Sequence, residues 1–372
     1  MRVVILTPIP FWHPGTGELI ELLKANGINV WAFDIFNARV IDDKGILHDY
    51  KPTYLKGLFG KVYLKLFRKS IISKQIRDND IIDIHFVESA YGRYINTLKS
   101  KKTKLITTLF GSDLFRTNNS QKKLQTPLFE KADAVVLSEN MIPYFEEHFP
   151  GYESKYVLNQ YGSSRLDLID KKTSKFNRNE IREKYGITKD KIVISCGYNA
   201  KKEQQHLKIL DEINKFSEVD KKHLFLIFLL TYGIDESGGE YVNLIKKKFQ
   251  ESGMPNLCME NRLTDEEIAE VRIISDITIN MQTTDALASS IKEAMVAGDI
   301  MLIGEWLPYE IYKNLGVFYL TTSFETLYEK LKYILNNFDE LRDKSEANRE
   351  KILNFASWKI LINDWIKLYK EV

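Results

Sequence analysis

The sequence predicts an α/β protein built as two doubly wound halves, and three features predict it. Short β-branched runs alternate with helical periods from the first residues onward. A polar stretch interrupts the alternation near the middle of the chain, and the alternation then starts again. Strands that alternate with helices form parallel sheets covered on both faces.

In the first half, residues 3–7 read as a strand, and a loop holding Pro8, Pro10, Pro14, Gly15 and Gly17 leads into a helix over 18–24, where Leu19, Leu22 and Leu23 share a face. Asn26-Gly27 stops that helix, and 29–36 is the next strand. Further strands are expected at 81–86, 104–109, 134–137 and 156–158. Residues 167–179 lack periodic apolar positions and read as a linker, which divides the chain into an N-terminal domain over 1–166 and a C-terminal domain over 180–355. Strands at 191–196, 224–230, 257–260, 277–280, 300–303 and 316–320 alternate there with helices at 206–216, 240–251, 265–275 and 290–297. Helices at 325–338 and 339–355 close that half. A final helix within 356–372, with Ile360, Leu361, Trp365 and Leu368 on one side, is expected to pack back on the N-terminal domain.

Composition bounds the function. A chain of 372 residues exceeds what one core usually organises. With 44% hydrophobic and 28% charged residues it reads as an ordinary globular protein, and a net charge of +2 gives no argument for nucleic acid. Cys196 and Cys258 form no CxxC pair, so a reducing, cytoplasmic setting without a disulfide framework or structural metal is expected. The apolar run at the N-terminus is too short for a signal peptide or a span, which leaves a soluble protein or one peripheral to the inner face of the plasma membrane.

Several constellations follow strands, where open α/β sheets bind ligands. Gly15, Thr16 and Gly17 follow the first strand; glycines there let backbone approach a phosphate at a helix N-terminus, or only make a tight turn. Gly197, Asn199, Lys201 and Lys202 open the second half, where the lysines either neutralise a diphosphate or stand as solvated surface charge. Asp285, Ser289, Ser290 and Glu293 follow the strand at 277–280. Ser290-Ile291-Lys292-Glu293 fits a capping box, which puts Glu293 in a first helical turn beside a phosphate-binding helix end. A carboxylate also accepts the paired hydroxyls of a ribose, while the plainer reading has Glu293 capping and Asp285 as a loop acid. His85 and Glu88, after the strand at 81–86, are candidates for an acid/base pair, or His85 is structural. Asp78-Asn79-Asp80 is formally a D-x-D, but it precedes a strand, so no metal site is expected. The stretch 51–77, from Lys51 to Arg77, holds eight basic residues and no acid among many apolar ones; it suits an anionic membrane face, or an amphipathic helix packed on its own domain.

Asp285 and Glu293 with Ala294-Met295 and Ala297-Gly298 resemble the E-x7-E signature of glycosyltransferase family 4 and related GT-B enzymes. Asp83-Ile84-His85 resembles that family's D-x-[VI]-H segment, Thr107 to Asp113 its T-x-H-G-x-D loop, Lys131 to Ser138 its A-D-x-[VI]-[VI]-x-x-S strand, and the Gly197 cluster its G-R…K-G donor loop. The resemblance implies the GT-B fold, two Rossmann-like domains facing across a cleft, and sugar transfer from a nucleotide-sugar donor to a saccharide or lipid-linked acceptor without a cofactor or metal. Hexosyl transfer in bacterial surface-polysaccharide assembly, capsule or lipopolysaccharide, is the implied setting. By the same resemblance Glu293 binds the donor ribose, Asp285 faces the sugar, Ser289 and Ser290 lie near the diphosphate, Lys201 or Lys202 neutralises it, and Gly15 and Gly17 approach from the other domain. Asp285 stands where the family has its first Glu, Phe110 where it commonly has His, and Tyr198 or Asn199 near the place of the donor-loop Arg. The runs 197–206 and 230–233, the latter with Tyr232, are also similar to bacterial 4-acetamidofucosyl transferases, which invert, so both stereochemical outcomes stay open. The rival expectations are a GT-B-like sugar-nucleotide 2-epimerase and a catalytically degenerate binding subunit.

Overall fold

Parallel strands covered on both faces are apolar along their whole length, because successive side chains point to opposite sides and neither side meets water. The computed structural model, which describes all residues except 11–13, 53, 55–56, 100–101, 234–238 and 286, follows this rule in two compact units, Met1–Gly162 with Trp358–Val372, and Ser163–Ser357.

The first unit holds β1 (Arg2–Leu6), β2 (Asn29–Asp34), β3 (Arg39–Ile41), β4 (Leu47–Asp49), β5 (Ile81–His85), β6 (Lys104–Thr108), β7 (Ala134–Leu137) and β8 (Tyr156–Leu158) in the order β4-β3-β2-β1-β5-β6-β7-β8. All neighbours are parallel except the β2-β3 and β3-β4 pairs. Alternation splits the core: Val4 and Leu6 face one apolar layer, Val3 and Ile5 the other. The short β3 and β4 went unpredicted because three residues carry too little pattern to read.

The second unit holds β9 (Ile192–Cys196), β10 (Leu224–Leu229), β11 (Asn256–Met259), β12 (Ile277–Asn280), β13 (Ile300–Gly304) and β14 (Leu320–Thr322), ordered β11-β10-β9-β12-β13-β14 and parallel throughout. In both sheets the chain builds outward on one side of its first strand and then crosses to the other. The reversals, at β1/β5 and β9/β12, leave crevices at the carboxyl ends of the strands.

Some expectations need correction. Residues 167–179 are not a linker: Ser164–Thr173 is a helix whose Leu166 and Ile169 are fully buried against Ile291, Ala294 and Met295. Its apolar face is narrow, and the polar remainder masked it. Asn177 then caps Arg178–Lys184. The last strand begins at Leu320, later than 316–320 suggested. The final helix, Trp358–Glu371, groups with the first unit, where Trp358 and Trp365 are buried beside Val3 and Ile5. A Cβ on Gly162 would lie 2.6 Å from the Trp358 ring, so only glycine lets the chain pass there.

Candidate functional site

At the β9/β12 crevice the sequence places a glycine, a helix start and several polar side chains. Gly197 leaves β9 with φ +66°, and a Cβ there would press within 2.7 Å of His206 Nε2. The turn it makes lets Tyr198 donate its hydroxyl to Gln282 Oε1 at 3.0 Å, while Gln204 donates to the same oxygen at 2.8 Å. Asn199 accepts from the Lys201 amide at 2.9 Å, and the Tyr232 hydroxyl lies beside the Asn199 side chain. Burial raises the Tyr232 pKa; the charges of Arg272, Glu293 and Arg165 also act on that phenol. Lys201 and Lys202 are exposed, with the Lys201 stem lying against Gly233.

Beyond β12, Leu287 adopts φ 60° and Asp285 Oδ2 accepts the Ala288 amide at 3.4 Å. The helix Ser289–Ala297 then begins with Ala288 at its cap and no side-chain bond there. The expected capping box is therefore absent, because the helix starts two residues earlier than that pattern requires. Ser290 sits inside the helix, its Oγ buried without a partner among the described residues, and Glu293 falls in the second turn rather than the first.

Glu293 is 1% exposed. Its Oε1 accepts from Arg165 Nη1 at 2.7 Å and its Oε2 from Arg272 Nε at 3.3 Å. Arg272 is itself buried, and its two terminal nitrogens make no hydrogen bond with any described residue. It lines a small hollow with Gly197, Tyr198, Thr278, Ile279, Asn280, Ser290 and Ile291. Asn280 Oδ1 and Gln282 Nε2 are likewise buried without a partner among the described residues. Lys292 is half-buried: desolvation pulls its pKa down, and the carboxylates of Glu293 and Asp285 pull it back up. Both acids thus act on one ammonium. A desolvated guanidinium with free donors beside a helix N-terminus is an arrangement that accepts an anion with distributed oxygens.

The remaining candidates belong to the first unit. Gly15, Thr16 and Gly17 lie inside the helix Pro14–Ala25, not in a loop before it; His13 falls outside the described residues. His85 ends β5 at 1% exposure, its Nδ1 bonded to the Tyr161 hydroxyl and its Nε2 facing Asp83 Oδ2 at 3.1 Å. Asp83 also accepts from Thr108 Oγ1 at 2.8 Å and from the Tyr369 hydroxyl at 2.7 Å. Phe110 lies against Tyr161 with ring centroids 4.8 Å apart. Glu88 stands at the surface, its pKa raised by desolvation and then by Asp34. His85 and Glu88 make no bond to each other: His85 is buried and held within its own unit by Tyr161 and Asp83, and Glu88 is exposed. Asp80 of the D-x-D is bonded by Arg2, with Nε at 3.0 Å. Among the described residues no cluster of three His, Cys, Asp or Glu side chains could hold a metal ion.

Sequence reasoning missed Arg165, Arg272 and Lys292. Arg272 carried a faint signal, a cation inside the apolar run Val271-Arg272-Ile273-Ile274 that no surface reading explains.

No family model and no curated protein sequence matches this chain. Solved structures do. A glycosyltransferase from Rickettsia africae is 18% identical with a TM-score of 0.72, over 100% of this chain and 98% of that one. HepE from Anabaena in complex with UDP is 12% identical with a TM-score of 0.68, over 100% of both chains. Sucrose-phosphate synthase from Thermosynechococcus elongatus is also 12% identical at 0.68, over 100% and 99%. The chain has the fold of these proteins, GT-B: the two α/β halves follow the pattern of the sequence, and GT-B itself is what the resemblance of its motifs implied.

Proposed function

We propose that the protein is a glycosyltransferase that moves a sugar from a nucleotide-sugar donor to an acceptor hydroxyl. The observation that carries this reading is Arg272: a buried guanidinium, fixed through Nε by Glu293, whose terminal nitrogens make no hydrogen bond with any described residue and which lines a hollow at the carboxyl end of β12. The similarity in fold to HepE, solved with UDP and with UDP-glucose, supports the donor class.

In the reaction the acceptor oxygen attacks the anomeric carbon, the bond from that carbon to the diphosphate oxygen breaks with its electron pair, and the acceptor proton passes to a base. The leaving diphosphate gathers negative charge, so positive groups placed beforehand lower the barrier. Arg272 takes the place of the absent donor-loop arginine, with Lys201 and Lys202 nearby in sequence to Tyr198, and the amides of Ser289 and Ser290 at the helix start complete the anion site. Glu293 positions Arg272 and Arg165, and its second lone pairs remain for ribose hydroxyls. Asp285 is assigned to the sugar. Charge neutralisation by arginine and lysine needs no metal in this reading, and the acceptor is a saccharide or lipid-linked sugar of bacterial surface-polysaccharide assembly.

The test is a panel of nucleotides and nucleotide sugars, read by ligand-observed NMR on the wild type and on Ser290→Asp. An acid near a helix N-terminus suits the fold but repels a diphosphate. At least about tenfold weaker binding in the variant is expected. A panel in which nothing binds, or a variant with unchanged affinity, removes the site. Altered nucleotide sugar formed without acceptor would instead mark an epimerase.

A further inference from the structure

The helix Gly57–Gln75 of the first unit turns one face into the core, through Gly60, Leu64, Ile71 and Ile72. Its other face carries large apolar side chains in water. Leu58, Phe59 and Leu66 are 74%, 76% and 70% exposed, and Val62 is 48% exposed. Leu58, Val62 and Leu66 recur at four-residue spacing and form a single stripe, with Phe59 beside it. Tyr54, just before the helix, is 81% exposed.

Charge borders this stripe on one sign only. Lys61, Lys65 and Lys69 are exposed in the same turns and make no ion pair with any described residue. No Asp or Glu occurs between positions 51 and 77. Arg68 does not belong to the set, because it donates inward to the Tyr94 hydroxyl at 2.8 Å and to the Phe36 carbonyl at 3.0 Å. Arg77 lies over the Trp31 ring, 5.8 Å from its centroid. Lys61, Lys65 and Lys69 are thus outward cations that flank the apolar stripe, and Lys74 continues them at the end of the helix.

We infer that this face docks on a bilayer surface bearing anionic headgroups, with Leu58, Phe59, Val62 and Leu66 entering the acyl boundary and Lys61, Lys65 and Lys69 on the phosphates. A second copy is the poorer occupant, since pairing two such faces would bring lysine rows together with no acid between them. Among the described residues no helix is long and apolar enough to cross a membrane, so the contact is with the surface alone. This inference stands apart from the glycosyl reading, and its assay contains no nucleotide.

The experiment is co-sedimentation of the full chain with phosphatidylcholine vesicles, with and without phosphatidylglycerol, at low and high salt. The wild type binds the anionic vesicles at least about tenfold better than the neutral ones and releases them at high salt. Lys61→Glu with Lys65→Glu and Lys69→Glu lowers anionic binding on the order of 100-fold, and Leu58→Ser with Leu66→Ser about tenfold. Because these side chains are exposed, the variants keep the wild-type thermal midpoint, and the lipid and salt comparisons need no variant. Equal binding to neutral vesicles, or none to anionic ones, overturns the inference. So does reversible dimerisation in sedimentation velocity that Leu58→Ser with Leu66→Ser abolishes.

Discussion

At the end of β5 in the first unit, His85 is enclosed and wired: Tyr161 meets one ring nitrogen, Asp83 faces the other, and Tyr369 and Thr108 take up the rest of Asp83. After β9 in the second unit, His206 is just as buried, yet neither ring nitrogen has a hydrogen-bond partner among the described residues, and the ring packs against Phe228 and Tyr241 at centroid distances of 5.3 and 5.9 Å. The same contrast holds for the polar groups around them. In the first unit aromatic rings and a bonded network pack the end of β5, whereas in the second Arg272, Asn280 and Ser290 line a small hollow. Two sheets of one architecture thus differ at the same place in their topology: one is packed with rings there, and the other keeps a small hollow lined by a guanidinium.

Acid gives the largest effect. Burial lowers the His206 pKa from 6.5 to about 3, so its contribution is complete above about 6.5 and is lost as the pH falls toward 3. That shift corresponds to about 5 kcal/mol. His206→Leu should remove this part of the pH dependence, read as denaturant midpoints across that window; an unaltered slope would show that His206 finds a proton acceptor after all. Next comes the hollow itself: Arg272→Met keeps the side-chain length and leaves Arg165 on Glu293, and it should weaken nucleotide binding roughly 30-fold or more by calorimetry. Retained affinity would place the anion elsewhere and end the contrast between hollow and packed strand ends. The smallest change is at the packed end, where Tyr369→Phe deletes one bond to Asp83 and should cost about 1–3 kcal/mol in chemical denaturation while leaving nucleotide affinity untouched.

Much of the fold was legible because parallel strands have no polar face to confuse the pattern: 134–137, 156–158 and 277–280 coincide with β7, β8 and β12. Errors fell where tertiary contacts decide. Leu166 and Ile169 are only two apolar positions among charges, and their meaning depends on Ile291 and Met295, far along the chain. Ser290 and Glu293 fit a local capping rule that the turn at Leu287 overrides. The partners of His85 are hard to read from sequence for the same reason: Tyr161 is distant, Asp83 is hidden in an apolar strand, and Asp83 in turn is held by Tyr369 from far along the chain. The arginines on Glu293 come from separate helices, so no spacing rule links them.

Trp358–Val372 belongs to the first unit, which makes Ser163–Ser357 an insertion within it. Synthesis therefore imposes an order: the ribosome delivers the entire second unit before the segment that covers Val3 and Ile5 and reaches Asp83. Until then the earlier-made sheet has only part of that apolar side covered, by Leu19, Ile20 and Leu23, so the lobe translated first is the one that matures last. A nascent chain halted before Trp358 should need chaperone protection at its beginning rather than at its growing end.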